Sequence, residues 1–267
     1  MTQERVFVER KGSIAILSFS NPPDGYMDDR TSEELAQALD AVEGDPTVRA
    51  VLLTGKDPGV FIRHFDVRVL EERGRKLATR GIRFSVDRPV PEPILHICQR
   101  RIEASPKPFV CALNGTAMGG GFELALACDI RVAQDGPFSL GLPEVNIGLL
   151  PGAGGTQRLT RLLGVGAAMS FMLLGRVVSP RDAAAMGLVH SCGPDARAEG
   201  LALAEALAAK SAQAVAHIKR LVHSAGQGTT AERLADERTL FCDLMVSDEA
   251  IALMAAMNRG KRDIREP

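Results

Sequence analysis

No excess of charge of either sign marks this chain: 32 lysines and arginines stand against 33 aspartates and glutamates, a formal net charge of −1 with a pI near 6.5. Without a global field for phosphate backbones or anionic membrane surfaces, nucleic acid is not expected as a partner. Paired cysteines are also lacking. Cys98, Cys111, Cys128, Cys192 and Cys242 form an odd, scattered set with no C-x-x-C spacing, which argues against a disulfide framework and a structural zinc site and fits a reducing compartment. No apolar run approaches the roughly 18 residues of a membrane span. The N-terminal MTQERVFVERKG carries charges where a secretory apolar core would lie. A soluble, cytoplasmic protein is expected, long enough at 267 residues for a substantial core with a smaller appendage.

What is present is alternation of strand and helix signals. Residues 6 to 20 put two β-rich runs around Lys11-Gly12, with Ala15, Leu17 and Phe19 on one face of the second, a hairpin pattern. Thr31 or Ser32 is a candidate cap for a helix carrying Leu35, Ala38, Leu39 and Val42, stopped by Gly44-Asp45-Pro46 before the strand VRAVLLTG. The order recurs: FVCALNG leads through a glycine cluster into ELALACDIRVA, and FSLGLPE through PGAGG into TQRLTRLLG. Such alternation predicts an α/β architecture. From about Arg197 the signal is helix alone, so a core over 1–196 and a C-terminal helical region over 197–267 are expected. Between Val67 and His96 a polar, arginine-rich stretch with three prolines reads as a surface insertion or lid.

Two segments carry candidate chemistry. In Asn114 to Asp129, NGTAMGGGFELALACD, three consecutive glycines end an apolar strand and open an apolar helix. Glycines let a backbone approach a ligand closely, and the first N–H groups of the helix have no intrahelical acceptor, so they suit a phosphate or an oxyanion. Glu123 sits in the first turn, where it would also complement the helix dipole with no further role. A dinucleotide site fits poorly, because Gly115, Gly119, Gly120 and Gly121 do not follow G-x-G-x-x-G. In the second segment, FSLGLPEVNIGLLPGAGGTQRL, Glu144 lies among apolar residues. Burial there would raise its pKa and suit acid or base work, although a plain loop glutamate fits the residues equally. The PGAGG stretch reads as tight packing of loop on helix and is assigned no chemistry.

At these segments the chain resembles the enoyl-CoA hydratase and isomerase family, also called the crotonase family. The family's Asn-Gly, Gly-Gly-Gly-x-Glu and Leu-Ala-x-x-Cys-Asp correspond to Asn114 through Asp129. Its Pro-Glu followed by Pro-Gly-x-Gly-Gly-Thr-Gln-Arg-Leu corresponds to Pro143 through Leu159, and the wider likeness runs from about Val6 to Arg262. The resemblance implies a crotonase-like spiral of ββα units followed by a helical region used to form a homotrimer, with trimers pairing into hexamers. It implies reversible hydration of a trans-2-enoyl-CoA to a 3-hydroxyacyl-CoA, with coenzyme A as part of the substrate and no metal or redox cofactor. Glu123 would act as base on the water, Glu144 would deliver a proton to the α-carbon, and the N–H groups of Phe65 and Gly120 would hold the thioester oxygen. Family members that isomerise, dehalogenate or hydrolyse acyl-CoA thioesters, and a CoA-thioester binder without turnover, are the alternatives.

The chain departs from the family where the first oxyanion donor lies. A segment close to Phe-x-Ala-Gly-Ala-Asp reads Phe61-Ile62-Arg63-His64-Phe65-Asp66 here. If the glycine position needs positive φ, His64 would be strained by about 1 kcal/mol or more. The bulky Phe65 and the charged Arg63 are expected to reshape the acyl or CoA channel, and Arg63, His64, the retained Asp66 and Gly119 are CoA or substrate-binding candidates. The early adenine segment is altered too, leaving Asp24, Tyr26 and Met27 as CoA candidates. Near the C-terminus Phe241 matches an aromatic that packs on adenine, and Lys261, in the run Arg259-Gly260-Lys261-Arg262, is a candidate phosphate contact.

Overall fold

The computed structural model describes residues 3–261 and 263–265, so Arg262 of the basic run lies outside the described residues. The opening hairpin forms where its alternation puts it: β1 (Val6–Lys11) pairs antiparallel with β2 (Ile14–Phe19). Helix α1 (Asp29–Gly44) follows, with Leu35, Ala38, Leu39 and Val42 buried. Its cap is Asp28 rather than Thr31 or Ser32. The Asp28 carboxylate accepts the Thr31 N–H at 2.8 Å while the Thr31 hydroxyl accepts the Asp28 N–H at 3.3 Å. This reciprocal box satisfies two donors at once, which one hydroxyl at the cap position would not do, and it leaves Thr31 and Ser32 inside the first turn.

The chain then winds in repeated circuits. Strands β3 (Ala50–Gly55) and β4 (Gly59–Ile62) lead to α2 (Val67–Thr79) and α3 (Ile94–Ala104). Next come β5 (Phe109–Leu113), β6 (Gly115–Met118) and α4 (Gly120–Leu126), and then β7 (Ile130–Gln134), β8 (Leu140–Gly141), a single 3-10 turn (Glu144–Ile147), α5 (Gly155–Leu163) and α6 (Val165–Leu173). Strand β9 (Val177–Val178), α7 (Pro180–Ala185) and β10 (Ser191–Gly193) close the spiral. Each circuit lays one strand in a six-stranded sheet, order β1-β2-β3-β5-β7-β10, and one in a four-stranded sheet, order β4-β6-β8-β9. From β2 to β10 the first sheet is parallel, as are β4, β6 and β8 in the second.

The Asn-Gly of the motif makes one corner between the sheets. Asn114 accepts the Gly55 N–H at 2.8 Å and donates to the Asp57 carbonyl at 3.0 Å. A Cβ on Gly115 would come within 1.9 Å of the Gly59 carbonyl carbon, so no side chain fits there. Between the sheets lies the larger core, with Leu17, Leu53, Phe61, Leu113, Phe122 and Leu140. Because a parallel sheet is covered on both faces, the alternation read in β2 describes only one of two buried faces. Ile14, Ile16, Leu52 and Val110 point the other way, into a second cluster roofed by α8 (Ala196–Ala208) through Ala196, Leu201 and Ala204. Helix α8 therefore packs on the core, although the sequence groups it with the helical region.

The last three helices are α9 (Ala212–Ser224), α10 (Thr230–Met245) and α11 (Asp248–Asn258), and neither α10 nor α11 has a buried residue. Helix α9 is anchored by Lys219, 7% exposed, whose ammonium donates to the carbonyls of Ile102 (2.8 Å) and Lys107 (3.1 Å) and to Asp129 Oδ2 (2.8 Å). The same Asp129 oxygen accepts the Phe109 N–H at 2.7 Å. In the arginine-rich stretch, α2 has no buried residue and residues 80–93 are exposed. No helix among the described residues is long and apolar enough to cross a membrane.

Candidate active site

Three segments follow the carboxyl ends of β4, β6 and β8 and converge on one cavity of about 820 Å³. His64 and Phe65 leave β4, Gly119, Gly120 and Glu123 leave β6, and Glu144 leaves β8, and all six line the cavity. Backbone hydrogen bonds fix their relative heights. Met118 N–H donates to Arg63 O at 2.9 Å and Gly119 N–H to Gly141 O at 3.0 Å. On the other side Met27 N–H donates to His64 O at 3.0 Å and accepts Asp66 N–H through its carbonyl at 2.8 Å. The Phe65 and Gly120 N–H groups find no protein acceptor among the described residues. They are neighbours, since the Phe65 nitrogen lies 3.8 Å from where a Cβ on Gly120 would stand. Gly119, at φ +48°, turns the chain from β6 into α4, and a Cβ there would meet Glu144 Oε1 at 3.0 Å.

The histidine in the family's glycine position carries no backbone strain, because among the described residues only glycines have positive φ. Its ring stacks on Tyr26, centroids 4.4 Å apart, and Nδ1 lies 2.8 Å from the Phe65 carbonyl oxygen.

Glu123 is 2% exposed, and its Oε1 accepts two backbone N–H groups, Ala153 at 2.7 Å and Gly155 at 2.8 Å. Burial pushes its carboxyl up to about 7, with the nearby Glu144 charge adding to the rise, while the two N–H donors and the Arg158 guanidinium oppose it. Glu144 is also raised by burial, and its Oε2 is buried with no hydrogen-bond partner among the described residues. The site thus holds two carboxyl groups that burial raises, beside two backbone donors with no protein acceptor among the described residues. The rest of the wall is largely apolar, with Val67 and Leu70 of α2, Ile94 and Leu95 of α3, and Leu149 and Leu150 after the 3-10 turn. No cluster of three or more His, Cys, Asp or Glu side chains that could hold a metal occurs among the described residues.

The contacts of Glu123 come from the PGAGG loop, to which the sequence reading gives no chemistry; its signal was the pair of glycines just before a helix. A Cβ on Gly155 would stand 2.9 Å from Glu123 Oε1, so that glycine makes room for the carboxylate. Other expected site residues do not line the cavity. Met27 is fully buried beneath Gly120, its sulfur 3.3 Å from the Cβ position there. Asp66 caps α2 and pairs with Arg68, which also reaches Asp24 at 3.7 Å and lies over Tyr26, so these residues form a polar cluster on the outer side of the segment. Arg63 touches its neighbours here through its backbone. Phe241, 65% exposed on α10, and the exposed Lys261 are absent from the cavity wall.

Compared with known families, residues 9–261 match the sequence model of enoyl-CoA hydratase/isomerase. The chain belongs to this family. It is 37% identical over 219 residues to a probable enoyl-CoA hydratase of Bacillus subtilis, 79% of each chain. A probable enoyl-CoA hydratase of Mycobacterium bovis is 30% identical over 259 residues, 96% of this chain and 95% of that one. The crystal structure of an enoyl-CoA hydratase from a Polaromonas species superposes with a TM-score of 0.85 at 29% identity, covering 97% of this chain and 98% of that one. The spiral of circuits described above is the crotonase fold, as the motifs predict.

Proposed function

We propose that the chain catalyses reversible addition of water to a trans-2-enoyl-CoA, giving a 3-hydroxyacyl-CoA. The observation that carries this reading is the meeting of a buried and a half-buried carboxyl group, both raised, with two adjacent N–H groups that have no protein acceptor among the described residues, on one cavity wall. In the proposed reaction the thioester oxygen accepts hydrogen bonds from Phe65 and Gly120. Glu123, as carboxylate, removes a proton from water while the water oxygen bonds to C3. The C2–C3 π electrons move onto the thioester as an enolate. Glu144, as acid, protonates C2, and proton transfer between the two carboxyls resets the site. A donor aimed at such an oxyanion is worth about 3 to 4 kcal/mol of barrier. A base near pH 7 is matched to neutral operation.

The balance of atoms closes with coenzyme A as part of the substrate and needs no metal or redox group. On this reading α9 to α11 form the contact surface of a homotrimer or of a hexamer of two trimers, and Phe241 and Lys261 meet the coenzyme A of a neighbouring subunit. Their exposure in the single chain supports that placement.

The test is loss of enoyl-thioester absorbance with short, medium and aryl enoyl-CoAs, for wild type, Glu123→Gln and Glu144→Gln. Each substitution is expected to lower kcat by at least about 10²- to 10⁴-fold. Binding of CoA thioesters without turnover of any member of the panel overturns the proposal.

A further inference from the structure

The loop that holds Glu123 is itself held from behind. Ala153 donates its N–H to Glu123 Oε1 at 2.7 Å and accepts Arg158 Nη1–H through its carbonyl at 2.9 Å. One peptide segment is thus clamped between a carboxylate and a guanidinium. The two glycines that follow fit this clamp from opposite sides. A Cβ on Gly154, which has φ +89°, would come 2.2 Å from Arg158 Nη1, and a Cβ on Gly155 would come 2.9 Å from Glu123 Oε1. The guanidinium is oriented in turn by Glu103 of α3, with Nε to Oε1 at 2.9 Å and Nη2 to Oε2 at 2.8 Å. The pair is mostly shielded, its side chains 13% and 21% exposed, so a two-point fork of this kind keeps its geometry.

We infer that Arg158 is a positioning residue for Glu123. Backed by Glu103, it fixes the 151–155 loop so that the Ala153 and Gly155 N–H groups occupy one oxygen of Glu123 and leave the other for water. The inference rests on Glu123 acting as the base of the proposed hydration, yet it makes its own demand, because a plain structural ion pair joining α3 to α5 would leave kcat unaffected in a variant that keeps the cation. Two charged groups act on Glu123, Glu144 from the 3-10 turn and Arg158 from α5. Loss of Arg158 removes a nearby cation and loosens two donors, and both changes favour the protonated carboxyl.

The experiment compares wild type with Arg158→Met, Arg158→Lys and Glu103→Gln. For Arg158→Met, kcat is expected to fall roughly ten- to a hundredfold with KM little changed. The limb of kcat/KM that rises with pH should move upward by roughly half to one pH unit. Arg158→Lys keeps the cation without the fork, so it should recover most of the pH shift and little of kcat. Glu103→Gln leaves the arginine charged but less fixed and should fall between. An NMR titration of the Glu123 carboxyl in the same proteins reads the shift without turnover, so it decides the matter even if no enoyl-CoA is hydrated. Superimposable titrations for wild type and folded Arg158→Met or Glu103→Gln overturn the inference. Failure of wild type to hydrate any thioester counts instead against the proposed reaction.

Discussion

Glu123 shows what a buried carboxyl costs the fold. Its folded-state value of about 7 stands above the ordinary glutamate value of 4.5, so the native protein binds the extra proton between those two pH values and stability falls as pH rises through that window. The penalty is complete above about pH 7 and absent below about pH 4.5. Glu123→Gln keeps a carbonyl oxygen for the Ala153 and Gly155 N–H groups while removing the charge. Denaturant titration at pH 8 should find this variant more stable than wild type by on the order of 2 kcal/mol, with the gap closing toward pH 4.5. The side chains that do the proposed chemistry were readable from the chain because Gly-Gly-Gly-x-Glu and Pro-Glu are local patterns. Arg158 and Glu103 were not, since their meeting joins positions 55 apart. Nor was Asp28 as the helix cap, because two acidic and two hydroxyl residues compete within five positions and only the folded turn shows which carboxylate accepts.

At the scale of elements, the strong periodicities of β1, β2, α1 and β3 gave their places correctly, whereas β8 and β9, two residues each, leave no periodicity to read. Helix α8 went to the wrong neighbour in the sequence reading because small residues conceal a packed face. A Cβ on its Gly200 would stand 2.9 Å from both Ala112 and Leu52, so the helix lies close on the sheet without large apolar residues at the contact. The join between α9 and the core is ionic instead. Lys219→Met strips Asp129 of a buried partner and leaves two backbone carbonyls without their donor. Breaking such a pair from one side is expected to destabilise by about 3 to 5 kcal/mol. Equilibrium unfolding measures the loss, and hydrogen exchange should show α9 losing protection before the sheets do.

For the whole molecule, exposed apolar residues run over 82–94, over 145–177 and along the last three helices. Ile218 and Val222 of α9, Phe241 and Met245 of α10, and Ile251 and Met254 of α11 are all open to solvent in the single chain. Scattered apolar residues are ordinary on a surface, but a run across three consecutive helices fits the association face proposed above. Light scattering coupled to size exclusion should return a multiple of 28.5 kDa, a trimer or hexamer, and Phe241→Asp should shift the population toward lower mass. A strictly monomeric wild type at micromolar concentration would refute the assembly.

The spiral also separates length from chemistry. Every proposed reacting group stands just past the end of a short parallel strand in the second sheet, so the ruler of the site is the stagger of β4, β6 and β8, spaced by about 3.3 Å per residue. The chain that returns from one circuit to the next only has to come back. A return such as the exposed stretch at 80–93 can therefore be lengthened or trimmed while the atoms at the strand ends keep their places.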